Sequence, residues 1–219
     1  MKNKIIIFLI ILTSCSSEKE NLIIEGEISG VKNSKIYLSS ADKEEILDSV
    51  NIINGKFTLK TYVNSTKEMS MILGDKNSEN KFDFISEPAH ILFKSSKDKF
   101  VFNGKIQNSK LYIDYKNLKN QINRFDEKDL EMLAEQIEIS VKGNSNKYDS
   151  INEQRLKLNQ RKILFIVNYA MSNKTSPLSA FISYKYRNSI NDDYLKKIFE
   201  NLSDEIKGSY YGAKLNSNL

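Results

Sequence analysis

The hydrophobic pattern of this chain changes its period near Gly104, and that change most constrains the fold. Between residues 22 and 102, apolar and polar residues alternate in short runs separated by turn residues, as β-strands require. After Gly104, apolar residues recur every three or four positions, as in amphipathic helices. The sequence therefore predicts an α+β protein, with an antiparallel β-sandwich-like domain at residues 22–104 and an α-helical domain at residues 105–219.

The clearest local signal in the first half is a β-hairpin around Asn54 and Gly55. An Asn-Gly pair supplies the two positive φ angles of a type I′ turn, whose twist matches that of the flanking strands. In the outgoing strand, Phe57 and Leu59 alternate with polar residues. This alternation predicts a sheet with one buried face and one face in water.

The second half is predicted to form a series of separate helices. Apolar residues at positions 111, 115, 118 and 122 share one face of the first. Asp126 is interpreted as the N-cap of a second helix over residues 127–141, which ends at Gly143-Asn144. A third helix is expected over residues 150–171, and shorter helices follow, one of which begins at Pro177.

The first 14 residues are typical of a secretory signal. Lys2 and Lys4 precede an apolar run at residues 5–12, which is too short to span a bilayer because a spanning helix needs about 20 residues. Cys15, the only cysteine of the chain, lies close behind this run. Residues 1–14 are therefore interpreted as a signal peptide and residues 15–21 as a polar tether.

The segment Leu12-Thr13-Ser14-Cys15 resembles the lipobox of bacterial lipoproteins. The resemblance implies cleavage before Cys15 and acylation of both its thiol and the new N-terminus, and two or more acyl chains anchor a protein stably. We expect a lipid anchor on Cys15 that holds the protein at a membrane of the cell envelope. No Asp follows Cys15, so the outer membrane is favoured, on its periplasmic or its surface side. An ordinary signal peptide with an accidental cysteine is the alternative.

Charge and cysteine content argue against several classes of function. Removal of Lys2 and Lys4 from the 33 basic residues leaves 31, against 28 acidic residues. Since no Lys/Arg run with interleaved aromatic residues occurs, we expect no nucleic-acid partner. Acylation of Cys15 would leave no thiol for a disulfide, for redox chemistry or for a thiolate metal site.

Few residues suggest catalysis. His90, the only histidine, is a candidate metal ligand or base, but a lone histidine in a strand more often lies on the surface. Asp83 and Glu87 are a candidate carboxylate pair for acid-base chemistry. Phe82 and Phe84 flank Asp83, so simple alternation, with Asp83 on the wet face, is the favoured interpretation.

The remaining candidates also favour structural roles. Asp48-Ser49 has no partner histidine and is not a hydrolase signature, and Asp192-Asp193 is interpreted as the start of a helix. We therefore predict no catalytic residue, no metal site and no cofactor. A group of tyrosines is interpreted as helix packing, with a recognition surface as the alternative: Tyr184, Tyr186, Tyr194, Tyr210 and Tyr211.

Several of these segments follow the pattern of one known family. They are the opening strand LIIEGEISG, the hairpin DSVNIINGKF, the turn Ser-Glu-Pro before a strand, and a Gly followed by a helix. Together they resemble the domain of unknown function 4369 on lipoproteins of Bacteroidota. The later segments SPLSAFISYKY and YLKKIFENLSDEIKG look like the helical connector that leads, in longer relatives, into a thioredoxin-like module of the TlpA and ResA type.

The resemblance does not extend to the chemistry of that module. In the longer relatives the module carries Trp-Cys-x-x-Cys, whereas this sequence has no tryptophan and no second cysteine. We therefore expect no thiol-disulfide activity here. The expected function is a non-catalytic binding or interaction module for an envelope protein, a peptide or a glycan. Two alternatives stay open: a carboxylate-based enzyme whose site is assembled only in the fold, and a remnant of a thioredoxin-like lipoprotein.

Overall fold

The computed structural model describes residues 19–41, 45–142, 145–217 and 219, and it confirms the predicted α+β class. The strand half comes first and the helical half follows. The strands are β1 (Leu22–Ser29), β2 (Asn33–Ser40), β3 (Glu45–Ile53), β4 (Lys56–Thr61), β5 (Glu68–Leu73), β6 (Lys81–Ile85), β7 (Ala89–Ser96) and β8 (Lys105–Gln107). The helices are α1 (Phe100–Asn103), α2 (Lys110–Val141), α3 (Ser145–Ser172), α4 (Pro177–Lys185), α5 (Asp192–Asn201), α6 (Asp204–Lys207) and α7 (Tyr210–Asn216).

The strands form one continuous sheet in the order β6-β5-β2-β3-β4-β1-β7-β8, instead of the two layers of a sandwich. Neighbouring strands are antiparallel except β1 and β7, which run parallel with Leu22 opposite Ala89. The predicted hairpin turn is confirmed, because Asn54 and Gly55 have φ angles of 52° and 80°. These are the positive values that a type I′ turn requires.

The sheet curls so strongly that its two ends meet. Strands β6 and β7 are six places apart in the sheet order, which is about 29 Å in a flat sheet. Yet the ring centroids of Phe82 on β6 and Phe93 on β7 are only 5.0 Å apart. Gly104 makes room for this contact, since a Cβ atom there would lie 2.3 Å from the Phe82 ring. A curled sheet has an inside and an outside, so it produces the same alternation as a sandwich.

The inside of the curl is filled by apolar side chains from every long strand. The strand registers place these residues on one face, and Gly26 leaves space there for the ring of its cross-strand partner Phe57. The same buried cluster continues into the helices, so the sheet and the helices share one core. Its inner-face members include Leu22, Ile24, Ile36, Leu38, Leu59, Met71, Phe84 and Ile91.

The sheet continues past the predicted boundary at Gly104. Residues of β8 pair antiparallel with β7, with Lys105 opposite Lys94 and Gln107 opposite Leu92. Helix α2 then begins at Lys110, where the Ser109 hydroxyl caps it by accepting a hydrogen bond from the Tyr112 amide at 2.9 Å. The strand half therefore ends at Gln107 in the structure.

The helical half differs from the prediction at Asp126. Helix α2 runs without a break through Asp126, so the prediction that this residue caps a new helix is wrong. No Gly or Pro interrupts the helix there, and a residue that favours N-caps cannot by itself end a helix. Asp126 instead accepts a hydrogen bond from Lys162 of α3 at 2.9 Å. Helix α3 begins at Ser145 instead of residue 150, and the predicted end at Gly143-Asn144 lies outside the described residues.

Aromatic rings connect the inside of the sheet to the helices. Consecutive ring centroids along this path lie between 5.0 and 6.5 Å apart, a range in which aromatic pairs attract. The sheet and the helical half are therefore joined by packing. We call the path the aromatic chain, and its members in order are Phe57, Phe93, Phe82, Tyr112, Tyr115, Phe181 and Tyr211.

Replacement of Phe82 by Ala tests the closure of the curl. We expect Phe82→Ala to lower the free energy of unfolding by about 3–5 kcal/mol, because it removes a buried ring that touches both ends of the sheet. Phe102→Ala is the matched control: Phe102 is 89% exposed, and its loss should cost less than about 0.5 kcal/mol. Urea unfolding followed by circular dichroism measures both, and equal effects would contradict the closure.

Candidate functional site

The predicted lipidation site, Cys15, lies outside the described residues. Near the start of the described residues, the Asn21 side chain accepts a hydrogen bond from the Val63 amide and donates one to the Val63 carbonyl, both at 2.8 Å. The Asn21 amide also donates to the Thr61 carbonyl at 3.1 Å. We call this contact the Asn21 clamp. Among the helices that the structure describes, none is both long enough and apolar enough to cross a bilayer.

His90 lies on the outer face of the sheet, as its strand position suggested. Its Nε2 atom is 3.0 Å from the Glu25 carboxylate, and both side chains are about half exposed. The described residues contain no group of three or more His, Cys, Asp or Glu side chains that could hold a metal ion. The structure therefore gives His90 one acidic neighbour on an open surface.

Asp83 and Glu87 each bind a different serine. The Ser70 hydroxyl donates to Asp83 at 2.6 Å, across the β5–β6 pair. The Ser109 hydroxyl donates to Glu87 at 2.5 Å and at the same time caps α2. Glu87 therefore fastens the turn before β7 to the start of α2, which is a structural role.

The other acidic candidates have structural roles as well. Asp48 accepts hydrogen bonds from the Ser49 amide at 2.7 Å and from the Lys60 amide at 2.8 Å, which links β3 to β4. The interpretation of Asp192-Asp193 as a helix start is confirmed, because both residues lie in the first turn of α5.

Three of the five candidate tyrosines meet. The Tyr211 ring is buried, with ring centroids 5.7 Å from Tyr184 and 5.1 Å from Tyr210. The ammonium groups of Lys67 and Lys214 both lie 4.6 Å from the centroid of the Tyr210 ring. Tyr211 thus serves helix packing, while Tyr210 carries two cations over its ring. Tyr186 lies beside Lys162, and Tyr194 is exposed on α5.

A polar joint between the sheet and the helices was not predicted from the sequence. It is centred on Glu68, whose carboxylate accepts hydrogen bonds from Lys185 at 2.8 Å and from the Tyr115 hydroxyl at 3.5 Å. The Glu68 amide donates to the Tyr211 hydroxyl at 3.1 Å. Burial, and then the charges of Glu68 and Asp83, raise the pKa of Tyr115. These residues are far apart in the chain and share no motif, so no sequence signal marks them.

Helices α2 and α3 form an antiparallel hairpin held by ion pairs. The Arg155 guanidinium binds both carboxylate oxygens of Asp129, at 2.8 and 2.9 Å, and donates to the Gln136 amide oxygen at 2.8 Å. The hydrogen bonds from Arg155 lower the pKa of Asp129. A depression of about 260 Å³ lies here. The charged side chains that line it pair with one another: Asp126 with Lys162, and Asp129 with Arg155.

The outer half of this hairpin carries an exposed apolar stripe. Leu130, Ala134, Ile137 and Val141 follow one another at spacings of four, three and four residues, so they share one face of α2. Leu130, Ile137 and Val141 are 63%, 58% and 84% exposed. A different face of α2 packs against α3. We call these four residues the hairpin stripe, and the exposed Leu156 of α3 lies beside the depression described above.

The comparison with known families identifies the strand half. Residues 22–115 match the family model described as "Domain of unknown function (DUF4369)", which confirms the resemblance found in the sequence. Residues 22–115 of the chain therefore form a DUF4369 domain. The matched segment begins with β1, includes β8 and ends within the second turn of α2. A search of the curated proteins finds no match.

The raised pKa of Tyr115 predicts a pH effect on stability. Above about pH 10 the unfolded chain loses the phenol proton that folded Tyr115 keeps, so the free energy of unfolding falls as pH rises towards the folded pKa. Tyr115→Phe should reduce this slope by up to about 1.4 kcal/mol per pH unit. Urea unfolding between about pH 9 and pH 11 measures the slope. The exposed Tyr194→Phe is the control, and equal slopes in the two variants would contradict the assignment.

Proposed function

We propose that this chain is a lipid-anchored envelope protein that acts as a non-catalytic binding module for a protein or peptide. The binding role is proposed because the hairpin stripe exposes apolar side chains to water. Contiguous exposed apolar surface is typical of interaction sites. Burial of one such aliphatic side chain contributes about 1.5–3 kcal/mol, so several of them can hold a partner.

The chemistry of the stripe favours a protein or peptide over a glycan. Leu130, Ile137 and Val141 are aliphatic, and none of them offers a hydrogen bond or an aromatic face to a sugar. Their spacing presents anchors at one helix face, as in helix-in-groove recognition. The partner should therefore supply an apolar groove or a second amphipathic helix.

The envelope location is supported by the lipobox resemblance at Cys15 and by the polar residues between it and the Asn21 clamp. A diacylated or triacylated cysteine would hold the body stably at a membrane surface. We favour the outer membrane, with its periplasmic or surface side as the site of action.

The anchor is tested by membrane fractionation of the native cell. We expect Cys15→Ser to move the protein from the membrane fraction to the soluble fraction, because no acyl chain can then be attached. Ser17→Ala changes a neighbouring residue without removing the thiol, so it should stay with the membrane. Retention of Cys15→Ser in the membrane fraction would contradict lipid anchoring.

The binding surface is tested by crosslinking from native membranes. Ile137→Asp places a charge in the hairpin stripe. We expect it to reduce capture of the partner at least about tenfold, because binding would have to bury the Asp carboxylate against an apolar surface of the partner. Gln121→Asp adds the same charge to an exposed position of α2 outside the stripe. Thermal unfolding should be similar for both variants. Equal capture by the two variants would rule out the stripe as the binding surface.

A further inference from the structure

The buried core of the protein ends part of the way along the α2–α3 hairpin. In α2 the core cluster includes residues up to Ile122, and in α3 it begins again at Ile166. No described residue from 123 to 162 is a member of this cluster. We call residues 127–141 of α2 and 145–161 of α3 the outer hairpin. Its packing therefore depends on contacts between its own two helices.

The outer hairpin buries few apolar side chains of its own. Among its described residues, the buried apolar ones are Ile139 and Ile151, which are 6% and 4% exposed. Helices in proteins gain most of their stability from the packing of an apolar face, so this small face holds the two helices together only weakly. Glu135 and Lys147 pair across the hairpin at 3.1 Å, but both side chains are at least half exposed. Such exposed ion pairs contribute little to stability.

A buried glutamine weakens this interface further. Gln136 is 3% exposed, and its Oε1 atom accepts a hydrogen bond from Arg155 of α3 at 2.8 Å. Its Nε2 group has no hydrogen-bond acceptor among the residues that the structure describes. Gln136 lies three residues before Ile139, so the two side chains are neighbours on α2. A buried polar group without a partner favours opening, because water can bind the group once the helices separate.

We propose that the outer hairpin opens and closes as a unit while the rest of the protein stays folded, and that the unpartnered amide of Gln136 favours this opening. Regions with little buried apolar surface open locally at a lower free energy than the whole protein unfolds. The open form exposes Ile139 and Ile151 in addition to the hairpin stripe, so it offers more apolar surface than the closed form. A partner that covers this surface would shift the population. The opening itself depends neither on the proposed lipid anchor nor on the proposed binding role.

Hydrogen–deuterium exchange of the full-length chain, followed by mass spectrometry, tests the separate opening. Ile36→Val in β2 and Ile139→Val in the outer hairpin are matched changes, because each shortens a buried isoleucine. In the wild-type chain the outer hairpin should exchange faster than the buried strands.

We expect Ile36→Val to speed exchange in the strands about two- to tenfold and to leave the outer hairpin unchanged, since the hairpin exchanges through its own opening. Ile139→Val should speed exchange in the outer hairpin by a similar factor. If the outer hairpin exchanges as slowly as the strands, or if Ile36→Val speeds both alike, the two regions open together and the proposal is overturned.

A second pair of variants tests the role of Gln136. Gln136→Leu removes the unpartnered amide, while Arg155 keeps its two hydrogen bonds to Asp129. We expect this variant to slow exchange in the outer hairpin at least about fivefold. Gln121→Leu is the matched control at an exposed position of α2 outside the outer hairpin, and it should leave that exchange unchanged. Equal exchange of the outer hairpin in the two variants, or faster exchange in Gln136→Leu, would overturn the role of Gln136.

Discussion

The contact between Phe82 and Phe93 determines the shape of the strand half. Because β6 and β7 are six places apart in the sheet order, their rings can meet only if the whole sheet curls. Curling gives a single sheet an interior that its apolar side chains can fill, so no second sheet is needed to cover them. Gly26 and Gly104 also allow the sheet to curl, since the absence of a side chain leaves space for a phenylalanine ring at each position. Phe57 occupies the space at Gly26, and Phe82 occupies the space at Gly104.

The helical half depends on that closure, because the aromatic chain continues from Phe82 through Tyr112 and Tyr115 into the helices. The Glu68 joint adds a polar attachment at the start of β5, where Lys185 and two tyrosine hydroxyls contact one residue. The outer part of the α2–α3 hairpin lies beyond these attachments and is held by ion pairs between its own two helices. The centre of the protein is thus well packed. In the hairpin, one face of α2 packs against α3, while the hairpin stripe on another face of α2 is exposed to water.

The sequence predicts the features that arise from local order. The period of two, the Asn54-Gly55 turn, the helix start at Asp192 and the DUF4369 pattern all depend on residues close together in the chain. The curl, the continuous α2 helix and the Glu68 joint could not be predicted in the same way. Alternation is identical in a sandwich and in a curled sheet, the capping preference of Asp126 is outweighed by the packing of α2 on α3, and the Glu68 joint unites residues from four distant segments.

Lipid anchoring at Cys15 is the claim on which the proposed location at the envelope membrane depends. The most direct test is the intact mass of the protein extracted from the native membrane. The account predicts a chain that begins at Cys15 and exceeds its polypeptide mass by a diacylglyceryl group and a further acyl chain. A chain that retains residues 1–14, or one that begins elsewhere with an unmodified cysteine, would contradict it.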